Sequence, residues 1–177
     1  KVGGGSAVLA GRHCYGFPAV RFRFFNVYGP RQRAGDAYAA VVPAFLDAAL
    51  AGRDIPVNGD GMQSRDFTYV GDVVDVLAEV ALGGLDSARP VNLAFGRRWT
   101  LLDVIAELET LLGRSLDVAF GPDRAGDVRH SQADPSGLEQ LLGTRNPVEL
   151  GPGLVRTLAW WDPDGATTDG ASAPDPA

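Results

Sequence analysis

Twice in this chain an apolar, β-rich run breaks at a polar, glycine-bearing corner with an arginine and a hydrogen-bonding side chain beside the break. The first segment is Arg23-Phe24-Phe25-Asn26-Val27-Tyr28-Gly29-Pro30-Arg31-Gln32, and the second is Asn58-Gly59-Asp60-Gly61-Met62-Gln63-Ser64-Arg65-Asp66-Phe67-Thr68-Tyr69-Val70. Strands that end in such corners, with helices between them, predict an α/β fold. The same corners carry what a site for a doubly charged phosphate ester bearing a sugar requires.

The remaining segments alternate in the same way. Ala19 to Val27 reads as a buried strand ended by Gly29-Pro30, and Tyr38 to Ala51 as a helix with Val41, Val42, Phe45, Leu46 and Leu50 near one face. Pro43 falls in the first turns of that helix, where proline is tolerated, and Gly52 closes it. Ile55 to Val57 and Phe67 to Val70 read as short strands. Asp72 reads as the N-cap of a helix through Leu82, and Thr100 as the cap of another through Leu112. Val91 to Phe95 and Leu116 to Phe120 are further predicted strands. Asp134-Pro135-Ser136 opens a short helix, and Gly153 to Trp161 forms a last one with Leu154, Leu158 and Trp161 inward. The first fifteen residues read as the end of a helix weakened by Gly3-Gly4-Gly5, each glycine costing ~1 kcal/mol. From Asp162 the chain is Pro, Gly, Asp, Ala and Thr with nothing to bury, so 162–177 is predicted to be disordered.

Charge and cysteine content narrow the partners. With 177 residues and 45% hydrophobic content the chain is long enough for one domain with a core. A net charge of −6 argues against nucleic acid or an anionic membrane surface, both of which need broad positive fields. A local arginine cluster can still hold a small anion. The single cysteine, Cys14, rules out an internal disulfide framework and fits a reducing cytosol, so a cytoplasmic location is expected. His13, His130 and Cys14 have no metal-ligand spacing, and no apolar run approaches the ~18 residues of a membrane span. The chain starts at Lys1 without methionine or a signal-peptide pattern, which suggests a fragment.

Five ordered motifs carry a resemblance. They are the two opening segments, then Ala37-Tyr38-Ala39-Ala40-Val41-Val42-Pro43, then Asn92-Leu93-Ala94-Phe95-Gly96 followed by Thr100, and last Arg124-Ala125-Gly126-Asp127-Val128-Arg129-His130-Ser131 with Ala133-Asp134. Over residues 1 to 161 the chain resembles the carboxy-terminal, substrate-binding half of an extended short-chain dehydrogenase/reductase of the UDP-sugar 4-epimerase group. The variants of the motifs look closest to epimerases accepting N-acetylated UDP-hexoses. The resemblance implies the carboxy-terminal part of an extended Rossmann-like fold, with a small mixed sheet and flanking helices and with the dinucleotide-binding half absent. Residues 1–30 would end the Rossmann-like portion, 31–161 would form the substrate-binding domain, and 162–177 the tail.

The resemblance also implies roles, each with a plainer reading beside it. Lys1 falls where the lysine of the family's Tyr-x-x-x-Lys motif would stand, contacting the nicotinamide ribose and lowering the tyrosine's pKa. Its plain reading is an exposed terminal lysine. The family's acidic residue near position 5 is here Gly5. Phe25 would contact the nicotinamide end of NAD, and Asn26 the sugar–diphosphate, although asparagine is common at strand-to-turn corners. Arg65 and Arg124 would hold the two charged groups of a diphosphate through their guanidinium forks, where the plain reading is surface ion pairing. Asp127 would hold a ribose hydroxyl and Asn58 the uridine. Ala40 and Val41 would offer backbone groups, and Phe45 an apolar wall, with core packing as its equal alternative. Gly3-Gly4-Gly5 lacks the Gly-x-Gly-x-x-Gly spacing of a dinucleotide loop. Asp66 reads as a turn or ion-pair residue, His130 as structural or exposed, and Trp99, Trp160 and Trp161 as packing residues.

The implied activity is an NAD-dependent interconversion of C4 epimers of a UDP-hexose through a 4-keto intermediate. This chain would supply UDP-sugar binding and be inactive in isolation. Nucleotide-sugar dehydratase or decarboxylase chemistry of the same superfamily is the second enzymatic reading, and a non-catalytic nucleotide-sugar-binding protein the third. Implied partners are a UDP-sugar and an amino-terminal Rossmann half. A homodimer is expected in the longer protein, through helices that include the Tyr-x-x-x-Lys helix.

Overall fold

The computed structural model describes residues 2–33, 40–124 and 126–162. Lys1, Ala37 to Ala39 and the predicted tail from residue 163 onward lie outside them. The described elements run in order α1 (Val2–Tyr15), β1 (Phe22–Phe24), β2 (Asn26–Tyr28), α2 (Val41–Leu50), β3 (Ile55–Asn58), β4 (Ser64–Arg65), β5 (Phe67–Tyr69), α3 (Val70–Leu82), β6 (Val91–Leu93), β7 (Trp99–Thr100), α4 (Leu101–Leu112), β8 (Val118–Gly121), α5 (Ser136–Leu142) and α6 (Leu150–Trp161).

The described strands form four two-stranded sheets. Among the described residues β1 pairs with β6, β2 with β5 and β3 with β8, all parallel, and β4 pairs antiparallel with β7. Parallel partners need crossover connections, and the intervening helices supply them. The long strand predicted over 19–27 is split by Phe25 into β1 and β2, which therefore pair with different partners. It is also not buried throughout, because Arg23 is exposed and Phe24 is 54% exposed. The two-residue strands β4 and β7 escaped the sequence reading, since two residues carry no periodicity.

Helix starts follow local chemistry where a cap is present. Thr100 Oγ1 accepts from Asp103 N at 3.0 Å and Asp103 Oδ2 accepts from Thr100 N at 2.7 Å, a complete capping box on α4. Gly113 closes that helix in the left-handed conformation at φ 64°. Asp72 is not the cap of α3. The helix starts two residues earlier at Val70, and Asp72 Oδ2 instead accepts from Val148 N at 3.1 Å, tying the first turn of α3 to the approach to α6. Burial holds the Asp72 carboxyl above the ordinary carboxylate range. The Gly3-Gly4-Gly5 triplet lies within α1, so it forms no phosphate loop.

The main core gathers Tyr28, Leu46, Ile55, Val104, Leu108, Leu150 and Leu154 between α2, α4, α6 and the strands. Each such side chain contributes ~1.5–3 kcal/mol through burial. Phe45 is 2% exposed in this cluster, so the core reading holds. A second, smaller core of Val73, Val76, Val91, Leu93 and Leu138 joins α3, β6 and α5. Trp99 and Trp161 pack on the main core as predicted, whereas Trp160 is 45% exposed. No helix among the described residues is long and apolar enough to cross a membrane.

Candidate functional site

The parallel β3–β8 pair places two chain segments side by side at their carboxyl ends, where α/β folds commonly bind ligands. β3 ends at Asn58 and turns through Gly59 and Gly61, with φ of 72° and 76°. Glycine suits position 59 because its φ of 72° is one that L side chains rarely adopt. Asp60 Oδ1 accepts from Met62 N at 2.9 Å and fixes the corner. β8 ends at Gly121 and continues through Asp123 and Arg124, with Asp127 N donating to Arg124 O at 3.0 Å.

The returning segment is then bound to β4 like a further strand. Ser64 N donates to Arg129 O at 2.8 Å and Ser131 N to Ser64 O at 3.0 Å, with a parallel bridge between Ser64 and His130. Ser64 Oγ lies 2.9 Å from His130 Nδ1. His130 is thus exposed by area and structural by contact.

Between the corner and the returning segment lies a polar cavity of about 240 Å³ lined by Asn58, Gln63, Asp123, Arg124, Asp127 and Arg129. A more open hollow of about 640 Å³ adjoins it through Asp123 and Arg129, with Gly59, Asp60 and Phe120 among its walls. Three of the residues singled out from sequence, Asn58, Arg124 and Asp127, therefore meet in one cavity despite their separation along the chain.

Arg65 stands behind that wall. Its Nη2 is paired with Asp127 Oδ1, and its Nη1 donates to Ser64 O at 2.8 Å and to Arg129 O at 3.4 Å. The Arg65 side chain is 13% exposed. Asn26 approaches from β2, where its N and Nδ2 both donate to Asp66 O, at 3.2 and 3.4 Å. Phe25 is half-buried beside it. Ala40 is the N-cap of α2 and its carbonyl accepts from Ala44 N at 3.2 Å. The backbone N–H of Val41 opens the first turn of the helix, where helical donors lack partners. Phe25, Asn26, Ala40, Val41 and Arg65 are not part of the cavity wall. Lys1 lies outside the described residues.

Asp66 corrects the turn-or-ion-pair reading. It is 0% exposed, and its Oδ2 accepts from Gly96 N at 3.0 Å and Ala133 N at 3.1 Å. Burial raises its pKa, and the backbone donors oppose that rise. The carboxylate thereby ties β5 to the Asn92–Gly96 and Ala133–Asp134 motifs.

Gln63 and Arg129 were not singled out from sequence. Gln63 Nε2 donates to Asn58 O at 2.7 Å and orders the floor of the corner. Arg129 lies two residues beyond Asp127 on the segment that returns to β4, and no periodic signal marks it.

The sequence and the fold have known counterparts. Residues 1–94 match the NAD dependent epimerase/dehydratase family, and the chain belongs to that family. The UDP-glucose 4-epimerase of Mycolicibacterium smegmatis is 30% identical over 91% of this chain and 51% of its own length. The UDP-N-acetyl-alpha-D-glucosaminuronate decarboxylase of Bacillus cytotoxicus is 30% identical over 82% of this chain and 47% of its own. Among solved structures, the UDP-N-acetylglucosamine 4-epimerase from Methanobrevibacter ruminantium M1, in complex with UDP-N-acetylmuramic acid, superposes with a TM-score of 0.78. That protein is 33% identical, and the match covers 89% of this chain and 51% of that one. The chain spans about half the length of the curated relatives it matches. The fold is that of the extended short-chain dehydrogenase/reductases, and the family's cofactor is NAD.

Phe25 is half-buried at the break between two parallel strand pairs, and the chain's glycine triplet is helical and does not form the loop that cradles a pyrophosphate.

Proposed function

We propose that this chain supplies the nucleotide-sugar-binding part of an NAD-dependent 4-epimerase acting on a UDP-hexose. The observation that carries this reading is the convergence of Asn58, Arg124 and Asp127 on one polar cavity, with Arg65 held against Asp127. Arg124 is assigned to the diphosphate, with Arg65 behind it holding Asp127 in place, Asp127 to a ribose hydroxyl and Asn58 to the uridine. Asn26 is assigned to the sugar side, Ala40 and Val41 to backbone contacts, and Phe25 and Lys1 to the nicotinamide end. With its nicotinamide end held by Phe25 and Lys1, NAD would supply reversible hydride acceptance at the sugar carbon. The part played by this chain is to grip the nucleotide end while the hexose stays free to turn, and the polar groups gathered at the nucleotide end are suited to that division. Exposed Tyr15, Phe17 and Phe24 on the first elements are assigned to contact with a dinucleotide-binding half.

A second reading is a decarboxylase or dehydratase of the same family, favoured by the similarity to a decarboxylase noted above. It shares the nucleotide grip and differs at the reacting carbons. Calorimetric titration with UDP-glucose and UDP-N-acetylglucosamine tests the shared part. Arg124→Ala is expected to weaken binding ~10–100-fold, the loss of one or two charge-assisted hydrogen bonds. Arg65→Ala is expected to weaken it as well, by releasing Asp127. Unchanged affinity in both variants would refute the cavity assignment. Product analysis of the longer protein then separates epimer formation from loss of water or carbon dioxide.

A further inference from the structure

Arg129 borders both hollows. Its Nη2 donates to Asp60 Oδ2 at 2.6 Å, joining the returning segment to the glycine corner. The two side chains are 59% and 52% exposed, so the pair is well solvated and weakly held. Asp60 is anchored by Met62 N at its other oxygen, which leaves the long Arg129 side chain as the mobile member. Arg65 differs, being largely buried and committed to two carbonyls and a carboxylate.

The local charge count sharpens the contrast. Arg124 and Arg129 on the wall, with Arg65 behind it, stand against Asp60, Asp123 and Asp127, three cations against three anions, so the resting site has no formal excess of positive charge. A multiply charged anion gains little from such a balanced set until one pair opens and its guanidinium turns to the ligand. The solvated Arg129–Asp60 pair opens most easily.

We propose that Arg129 is an anion-binding side chain of this cavity, with Asp60 as the resting counter-ion from which it transfers to a ligand diphosphate. The inference rests on the reading of the cavity as a diphosphate site. It assigns Asp60 an antagonist's role, so removing its charge strengthens binding through Arg129.

The test is calorimetric titration of the chain with inorganic pyrophosphate and with UDP-glucose. The variants are Asp60→Asn, Arg129→Gln, Arg129→Lys and the Asp60→Asn/Arg129→Gln pair, each checked for folding by circular dichroism and thermal melting. Asparagine keeps the acceptor for Met62 N. Asp60→Asn is expected to tighten both ligands ~3–10-fold and Arg129→Gln to weaken them about 10-fold, with Arg129→Lys between. The double variant is expected to show no gain over Arg129→Gln. An unchanged affinity in Asp60→Asn, or a gain that persists without Arg129, overturns the exchange. Arg124→Ala run in parallel separates the two levels. Binding lost there but untouched by Arg129→Gln keeps the diphosphate site and removes Arg129 from it. A folded parent chain that binds neither probe overturns both.

Discussion

Gly153→Ala should destabilise the fold, although alanine is the better helix former by ~1 kcal/mol. Gly153 lies in α6, and a Cβ there would stand 1.9 Å from Tyr28 Oη and 2.8 Å from its Cζ. The tyrosine cannot swing clear. It is buried, its hydroxyl donates to Leu150 O at 3.3 Å, and its ring meets those of Tyr69 and Phe67 edge-on at 5.8 and 6.3 Å. Ordinary carbon–oxygen contact therefore requires α6 and β2 to part by about 1.5 Å, the kind of overpacking that costs ~1–3 kcal/mol. Loss of the Tyr28 hydrogen bond adds ~1 kcal/mol, which offsets the gain in helix propensity. A net loss of about 2 kcal/mol lowers the urea midpoint by ~1 M at the usual dependence on denaturant. Tyr28→Phe removes the nearest atom, so Gly153→Ala should cost less in that background than alone. An alanine variant as stable as the parent, or a cost unchanged by Tyr28→Phe, would refute the reasoning.

Two further outcomes can be checked by the same methods. Thr100→Ala removes the capping box of α4 and should cost ~0.5–2 kcal/mol in urea melts, with Thr100→Ser retaining most of the stability. The folded-state pKa of Asp66 is raised by burial, so the native state binds its proton more tightly than the unfolded chain does. Its contribution is therefore fully present below the ordinary carboxylate pKa and is lost as pH rises through the raised native value. Subtracting the pH profile of Asp66→Asn from that of the parent should leave a component that falls with pH across that window, and a component that rises would contradict the assignment.

Much of the fold was legible because its signals are local. The spacing of Val42, Phe45 and Leu46 announces α2, Thr100 followed by Asp103 announces α4, and Gly113 stops it, each through residues within one turn. The family was legible in the order of five motifs, and Asn58, Arg124 and Asp127 do meet in one cavity.

The partners of charged side chains were decided only by the tertiary structure. Asp72 has the composition of a cap yet bonds Val148, because β5 runs directly into α3 and leaves the helix to begin at Val70. Asp66 has the composition of a turn residue yet is fully enclosed, because three motifs close over it. Arg65 pairs with Asp127 and Arg129 with Asp60 across more than sixty residues of chain. Those encounters are set by the β3–β8 register and the Ser64–His130 bridge, which bring the two corners together. Residue type and spacing determine which elements form and which side chains can bear charge. The packing of distant strands determines which opposite charge each one meets, since an ion pair depends on separation in space, and separation along the sequence does not report it.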